Sequence, residues 1–130
     1  MIYLDSCAAA KLIHTEDEST EFMLFIAERA WAPLISSELL YPELIRAVCR
    51  HSQDDDARAR ILLQRILQVP INREILDEAA TVGGPLVRTL DAIHLATALG
   101  MASELTAFVT YDKRLGSAAK ALGLPVEAPA

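Results

Sequence analysis

The sequence predicts an α/β domain in which helices cover both faces of a parallel sheet. Two observations predict it. Short apolar runs alternate with longer stretches of helical periodicity from end to end. The chain is also 130 residues long, with 52% hydrophobic and 23% charged residues, enough to bury a core as one domain spanning 1–130 and too apolar for a disordered chain. In sheets of this kind ligands bind beyond the carboxyl ends of the strands, where the strand order switches.

Met1-Ile2-Tyr3-Leu4 reads as a buried strand ending at Asp5. Ser6 is positioned to cap a helix through about Ile13, with Ala8, Ala9 and Ala10 supplying propensity. Asp17 to Ala30 reads as a second helix with Phe22, Phe25, Ile26 and Ala30 on one face. Trp31 to Ile35 reads as a strand, and Pro33 inside it implies an edge position or a break. Ser36 or Ser37 would cap a helix to about Arg50, with Leu40, Leu44, Ala47 and Val48 as its apolar stripe. Pro42 implies a kink or a later start, because proline inside a helix removes a hydrogen bond and clashes with the preceding turn. Asp54-Asp55-Asp56 opens an amphipathic helix running through Ala59, Leu62, Leu63, Ile66 and Leu67. Three aspartates in a row invite a metal reading, but a solvated helix start is the simpler one.

Val69-Pro70-Ile71 can form a short strand, and Arg73 to about Val82 a helix that Gly83-Gly84-Pro85 stops. Thr89 to Leu99 reads as a helix apolar nearly all round, hence buried, with Thr89 as its cap and Asp91 in its first turn. Thr106 to Thr110 is a clear strand. Asp112 to Leu122 is an amphipathic helix ended by Gly123, and Leu124-Pro125-Val126 a possible last strand.

No apolar run reaches the roughly 18 residues of a membrane span. Asp5 interrupts the first apolar run and no basic region precedes it, so no secretory signal is visible and a cytoplasmic location is expected. Cys7 and Cys49 lack metal-type spacing and read as reduced thiols. The net charge of −6 argues, taken alone, against tight binding to nucleic acid. It also leaves room for acids gathered in one place to hold cations.

Asp5 and Asp112 lie at or just past strand ends, Asp91 opens a buried helix and Glu43 lies in the helix after the second strand. Oxygen ligands with few histidines and no paired cysteines suit Mg²⁺ or Mn²⁺. Such an ion activates water and stabilises charge in phosphodiester hydrolysis. Each acid also has a plain explanation, Asp91 as a complement to the helix dipole for example. Glu38 lies about 140° around the helix from Glu43, which excludes a shared site for both. His94 follows Asp91 by one turn and reads more simply as a packed, hydrogen-bonded histidine than as a ligand. Ser6 can cap or hold a bound water. Arg46, Arg50, Lys113 and Arg114 read as surface cations, with those near the acids able to hold phosphates.

Four pieces in order carry a resemblance across essentially the whole chain. They are Ile2-Tyr3-Leu4-Asp5-Ser6-Cys7-Ala8, Ser37 through Glu43-Leu44-Ile45-Arg46-Ala47, Leu90-Asp91-Ala92-Ile93-His94-Leu95-Ala96-Thr97-Ala98, and Val109-Thr110-Tyr111-Asp112-Lys113-Arg114-Leu115. The chain resembles the PIN-domain family, and within it the VapC-type toxins of bacterial toxin–antitoxin pairs. The resemblance implies a PIN-like three-layer α/β/α sandwich with a parallel sheet of about five strands. It implies Mg²⁺- or Mn²⁺-dependent cleavage of RNA by Asp5, Glu43, Asp91 and Asp112, with Ser6, Arg46 and Lys113 toward the substrate. It implies a homodimer and a cognate VapB-type antitoxin, and no membrane. Cys7 stands where the family often has serine or threonine, and Pro42 beside Glu43 bears on that carboxylate's aim.

Other classes remain open at this level. A PIN-like module could bind a partner without cutting, or a free-standing nuclease could act with no antitoxin. A phosphoacceptor signalling domain also gathers acids at strand ends, but it needs paired acids after the first strand, and Asp5 stands alone before Ser6.

Overall fold

The computed structural model describes residues 1–50 and 52–130. Among them five strands form one sheet: β1 (Ile2–Leu4), β2 (Leu34–Ser37), β3 (Ile66–Val69), β4 (Ala107–Val109) and β5 (Val126–Glu127). The order is β3-β2-β1-β4-β5 and every neighbouring pair is parallel. The helices are α1 (Ser6–Lys11), α2 (Ser19–Glu28), α3 (Leu40–Val48), α4 (Gln53–Gln64), α5 (Arg73–Ala79), α6 (Thr89–Leu99) and α7 (Lys113–Ala121). The chain steps outward from β1 to β3, then returns to the other side of β1 for β4 and β5. The switch in strand order therefore falls between β1 and β4.

The pleat sorts the core into two layers. Ile2 and Leu4 of β1, with Ala107 and Val109 of β4, pack against Ala8, Phe22, Leu44 and Leu63 of α1 to α4. Tyr3 and Phe108, one residue along, point the other way and pack with Leu95 of α6 and Leu115 of α7. Each such side chain, fully buried, contributes roughly 1.5–3 kcal/mol. The three-layer α/β/α architecture and the five-stranded parallel sheet expected from the sequence are both present.

Several boundaries differ from those expected, each for a local reason. β2 begins at Leu34, after Pro33, and lies inside the sheet rather than at its edge. The missing N–H of Pro33 is not needed there, and its carbonyl accepts from the Ile2 N–H at 2.9 Å. The following helix starts at Leu40, so Pro42 falls in its first turn, where no intrahelical donor is lost. Glu38 consequently stands before the helix, not in its first turn, and its exposed carboxylate accepts from the Ile71 N–H at 2.6 Å. Ser52 caps α4 through the Asp55 N–H, and Asp55 and Asp56 pair with Arg58 and Arg60 along the helix, so the aspartate run is a helix start. The helix stops at Gln64, and Ile66 and Leu67 turn into β3, in place of the expected Val69–Ile71 strand. α2 is shorter than the span from Asp17 to Ala30, α5 ends at Ala79 before Val82, and β5 begins at Val126. Arg50 lies beyond α3.

Gly83 and Gly84 both have φ near +76°, in the left-handed region. They turn the chain from α5 into the segment that delivers α6. A Cβ on Gly83 would fall 2.7 Å from Val87 Cγ2 and 3.2 Å from Leu95 Cδ1, whereas one on Gly84 meets nothing within 4 Å. Gly84→Ala should therefore cost the left-handed strain alone, about 1–2 kcal/mol. Gly83→Ala should cost measurably more in urea unfolding. Equal losses would mean that Val87 gives way freely.

Candidate active site

Asp5 directly follows β1 at the switch point. Its N–H donates to the Val109 carbonyl, which ties the end of β1 to β4. It is the N-cap of α1 and accepts from the Ala8 N–H at 2.9 Å. Ser6, expected to be that cap, is instead the first residue of the helix. Only 3% of Asp5 is exposed, and two further donors reach its carboxylate. Thr110 donates its hydroxyl hydrogen to Oδ2 at 2.5 Å, and the Cys7 thiol donates to Oδ1 at 3.1 Å. Burial still outweighs these three donors and pushes the Asp5 carboxyl above the usual carboxylate range. Burial, with the nearby Asp5 charge, pushes the Cys7 thiol up to about 12, so it stays protonated and able to donate.

Glu43 projects from the first turn of α3 and is held from two sides. Ser6 Oγ donates to Oε2 at 3.5 Å. His94 Nε2 lies 2.7 Å from Oε1. The other ring nitrogen of His94 lies 2.8 Å from the Tyr3 hydroxyl, which accepts from the Ser37 N–H at 3.1 Å. An ionised carboxylate only accepts, so Nε2 carries a hydrogen and donates to Glu43. Nδ1 meets the Tyr3 hydroxyl, and every group from Ser37 to Glu43 has its partner. His94 is 1% exposed, and Tyr3 stacks on Phe108 with ring centroids 5.1 Å apart. The chain of hydrogen bonds thus runs through packed, immobile rings.

Asp91 is half-buried in the first turn of α6. The expected cap Thr89 lies inside the helix; Arg88 is the N-cap residue and makes no side-chain capping bond. The Asp91 carboxyl is pushed up by burial first and by the negative charge of Asp112 second; Asp5 and Glu43 add to this and His94 opposes it. One electrostatic field therefore joins all four acids. Asp112, exposed, is the N-cap of α7: its Oδ1 accepts from the Arg114 and Leu115 N–H groups at 2.8 and 3.0 Å. Its own N–H donates to Thr110 Oγ1, the atom that donates to Asp5. A cavity of about 250 Å³ opens onto Asp91 and Asp112. Among the described residues, no three His, Cys, Asp or Glu side chains stand close enough to ligate one ion directly.

A family model described as the PIN domain matches residues 2–121. The chain belongs to the PIN-domain family. It is 42% identical over 131 residues to Ribonuclease VapC35 of Mycobacterium tuberculosis (strain ATCC 25618 / H37Rv), covering 99% of this chain and 97% of the relative. It is 39% identical over 132 residues to Ribonuclease VapC47 of M. tuberculosis (strain CDC 1551 / Oshkosh), with the same coverage. The fold matches a chain in the structure of VapBC2 from Rickettsia felis bound to a promoter DNA fragment, at TM-score 0.71 and 16% identity, over all of both chains. It matches M. tuberculosis VapC20, a sarcin-ricin loop cleaving toxin, at TM-score 0.74 and 12% identity, over 91% of this chain and 95% of that one.

Within this PIN domain the remaining residues singled out from the sequence divide. Lys113 is exposed at the cavity beside Asp112. Arg46 is exposed on α3, one turn after Glu43, and lies outside that cavity. Thr110 and Tyr3 were not foreseen as site residues. Both sit in apolar strand segments where a polar atom at a strand end is the available signal, and only the fold brings their partners near. His94 is the packed, hydrogen-bonded residue expected, and its partner is one of the acids.

A raised carboxyl pKa means that the folded protein binds the proton more tightly than the unfolded chain does. Stability then falls as pH rises from the ordinary carboxylate range through the raised value, and the full penalty is present above it. Asp91→Asn should accordingly melt higher than the parent at pH 7, with the difference vanishing at about pH 3, below the ordinary aspartate value. Melting curves at the two pH values decide it. A lower melt at pH 7 would make Asp91 chiefly a complement to the helix dipole.

Proposed function

We propose that this chain, as one domain over residues 1–130, is a metal-dependent endoribonuclease and the toxin of a toxin–antitoxin pair. The observation that carries the proposal is the shared field of Asp5, Glu43, Asp91 and Asp112 where the strand order switches. Asp5, Glu43 and Asp112 are each held by donors, whereas the burial and repulsion that raise Asp91 are met by no hydrogen-bond donor among the described residues. Relatives of this length that are named ribonucleases support RNA as the substrate.

The donor set fits Mg²⁺ or Mn²⁺: hard carboxylate oxygens, mutually repelling, with neutral Thr110 and Cys7 behind them. Mg²⁺ commonly takes one or two carboxylates and keeps waters, so acids lining a site without converging on one point suit it. When bound, the ion supplies a water of lowered pKa and a positive charge opposite the scissile phosphate.

The protein's own groups do the rest. Asp112 is held through Oδ1 alone, which leaves Oδ2 to face the site, whereas Asp5 is held through both oxygens and meets an ion through their remaining lone pairs. Glu43 is aimed by His94 and Ser6. Asp91 has a raised pKa and no hydrogen-bond donor among the described residues, which supports it as the base that accepts a proton from the attacking water. The water oxygen joins phosphorus as the bond to the leaving ribose oxygen breaks, and that oxygen takes up a proton from solvent. Lys113, at the cavity beside Asp112, and Arg46, one turn after Glu43, would offset phosphate charge.

The partners proposed are an RNA substrate, a cognate VapB-type antitoxin and a second copy of the chain in a homodimer, in the cytoplasm. Among the described residues no helix is long and apolar enough to cross a membrane. Met23 and Leu24 on α2, 59% and 58% exposed, offer an apolar surface to an antitoxin helix. A basic antitoxin segment would complement the acids.

Asp5→Asn keeps shape and removes charge. RNA cleavage in Mg²⁺ or Mn²⁺ should fall by a factor of about 10² or more, several kcal/mol of transition-state stabilisation at ~1.4 kcal/mol per tenfold. The melting temperature should hold or rise. EDTA should abolish parental cleavage, and Glu38→Gln should cut nearly as the parent does. A folded Asp5→Asn protein cutting at the parental rate would remove Asp5 from the mechanism. A parent that never cuts, yet forms a complex with the neighbouring small protein, would favour the non-cleaving binding module. Failure of that co-expressed protein to relieve toxicity would favour a free-standing nuclease.

A further inference from the structure

We infer that the phosphodiester backbone of single-stranded RNA is gripped along a groove across the N-terminal end of α7. Arg88 and Arg114 hold it on one side of Asp112 and Lys120 on the other. The inference rests on the ribonuclease proposal and adds where the strand runs and which residues hold it.

The cavity of about 250 Å³ beside Asp91 is walled by Arg88 and Arg114. A second one, of about 500 Å³, is walled by Ser117 and Lys120. Asp112 and Lys113 line both, so the two cavities adjoin at the N-terminal end of α7, beside Asp91 and Asp112. Along α7, Lys113, Gly116, Ser117 and Lys120 fall at i, i+3, i+4 and i+7 and share one face. Seven residues carry that face about 10 Å along the helix.

Of the four cations only Lys120, in the last turn of α7, complements a helix dipole. Among the described residues none of them forms an ion pair, in a chain with 18 acids against 12 Lys and Arg. Lys11, Arg29, Arg58 and Arg60 do pair, and Arg46, Arg65 and Arg73 share the unpaired state, so what sets these four apart is that they stand together around the two cavities. Lys113 and Arg114 stand in the first turn of α7 and Arg88 caps α6, positions where the helix dipole opposes positive charge. Phosphates are the complement to such a row, and Arg presents a fork of donors to them. The groove also resolves the objection raised by a net charge of −6: attraction is local to one edge. A flexible single strand can dip its scissile phosphate toward half-buried Asp91. Contacts of this kind position a strand without reading its sequence.

The test is binding of a fluorescein-labelled 12-nucleotide single-stranded RNA to Asp5→Asn protein in Mg²⁺, followed by anisotropy across salt concentrations. The Asp5→Asn background should bind with an affinity that falls linearly in log–log form. Adding Arg88→Gln or Lys120→Gln should each reduce the slope by about 0.7, and together by about 1.4. Kd should rise by similar factors for RNAs of unrelated sequence. Arg65→Gln, outside the groove, should leave the slope unchanged, and melting temperatures should stay together because the substituted side chains are exposed. In the Asp5 background with metal, Arg88→Gln and Lys120→Gln should raise KM and leave kcat near the parental value. An unchanged slope in the double variant overturns the inference, as does salt-independent binding or a preference for an acidic peptide over RNA. Cleavage by the parent decides the ribonuclease proposal separately.

Discussion

The buried carboxylate of Asp5 is the constraint around which the domain is arranged. A charge 3% exposed at the centre of a sheet opposes folding unless donors surround it. Those donors come from three directions: Ala8 from the first turn of α1, Cys7 beside it, and Thr110 from the end of β4. Meeting them requires that β1 and β4 be neighbours with their carboxyl ends level, which is the pairing that puts Leu4 opposite Val109. Thr110 then accepts from the Asp112 N–H, so the same hydroxyl sets the start of α7. One carboxylate thereby fixes two helix starts and the switch in strand order.

A second line of bonds does for Glu43 what these donors do for Asp5. The backbone N–H of Ser37 donates to the Tyr3 hydroxyl, which holds the His94 ring, which aims Glu43. Each link crosses between elements: β2 to β1, β1 to α6, α6 to α3. Because the rings are packed on Phe108 and within α6, the donor that meets the carboxylate is fixed in place, and turning Glu43 away breaks that bond and the one from Ser6. The side chain is thus held by rigid elements rather than by a loop, the condition for precise placement of a reacting group. Pro42, beside Glu43, does not disturb the aim because it sits in the first turn.

Much of this was legible in the sequence, and the failures have physical causes. The alternation of apolar runs and helical stretches pointed to the layers and the parallel sheet, and strand-end acids marked the edge at which Asp5 and Asp112 stand. Boundaries were lost where local signals compete. Pro33 and Pro42 each satisfy proline's geometry by lying just outside or at the start of an element, which a residue-by-residue pattern does not separate from an interruption. Ile66 and Leu67 continue the helical stripe of α4 yet belong to β3, because pairing with Leu34 and Ile35 outweighs propensity. Two cap assignments slip by one residue: Asp5 and Ser6 carry equal signals, whereas Arg88 takes the N-cap position of α6 without a capping bond, against the preference of Thr89. The links Tyr3–His94 and Asp5–Thr110 span 91 and 105 residues, distances at which only tertiary structure carries information.

The distribution of charge completes the argument for a site rather than a set of capping residues. A cap is satisfied at one helix start and asks nothing of its neighbours. Here the negative charge of Asp112 raises Asp91, Asp5 and Glu43 raise it further, and burial raises Asp5, so the acids act on one another to the cost of the fold. Capping accounts for Asp5 and Asp112 singly, but not for placing four carboxylates in one field. Nor does it account for Arg88, Lys113 and Arg114, set against helix dipoles beside those acids and left without ion pairs. Repelling acids and cations set against helix dipoles each carry a cost in the protein by itself. In the proposed ribonuclease a divalent cation would meet the first and a phosphate backbone the second, the partners that the chain does not provide for itself.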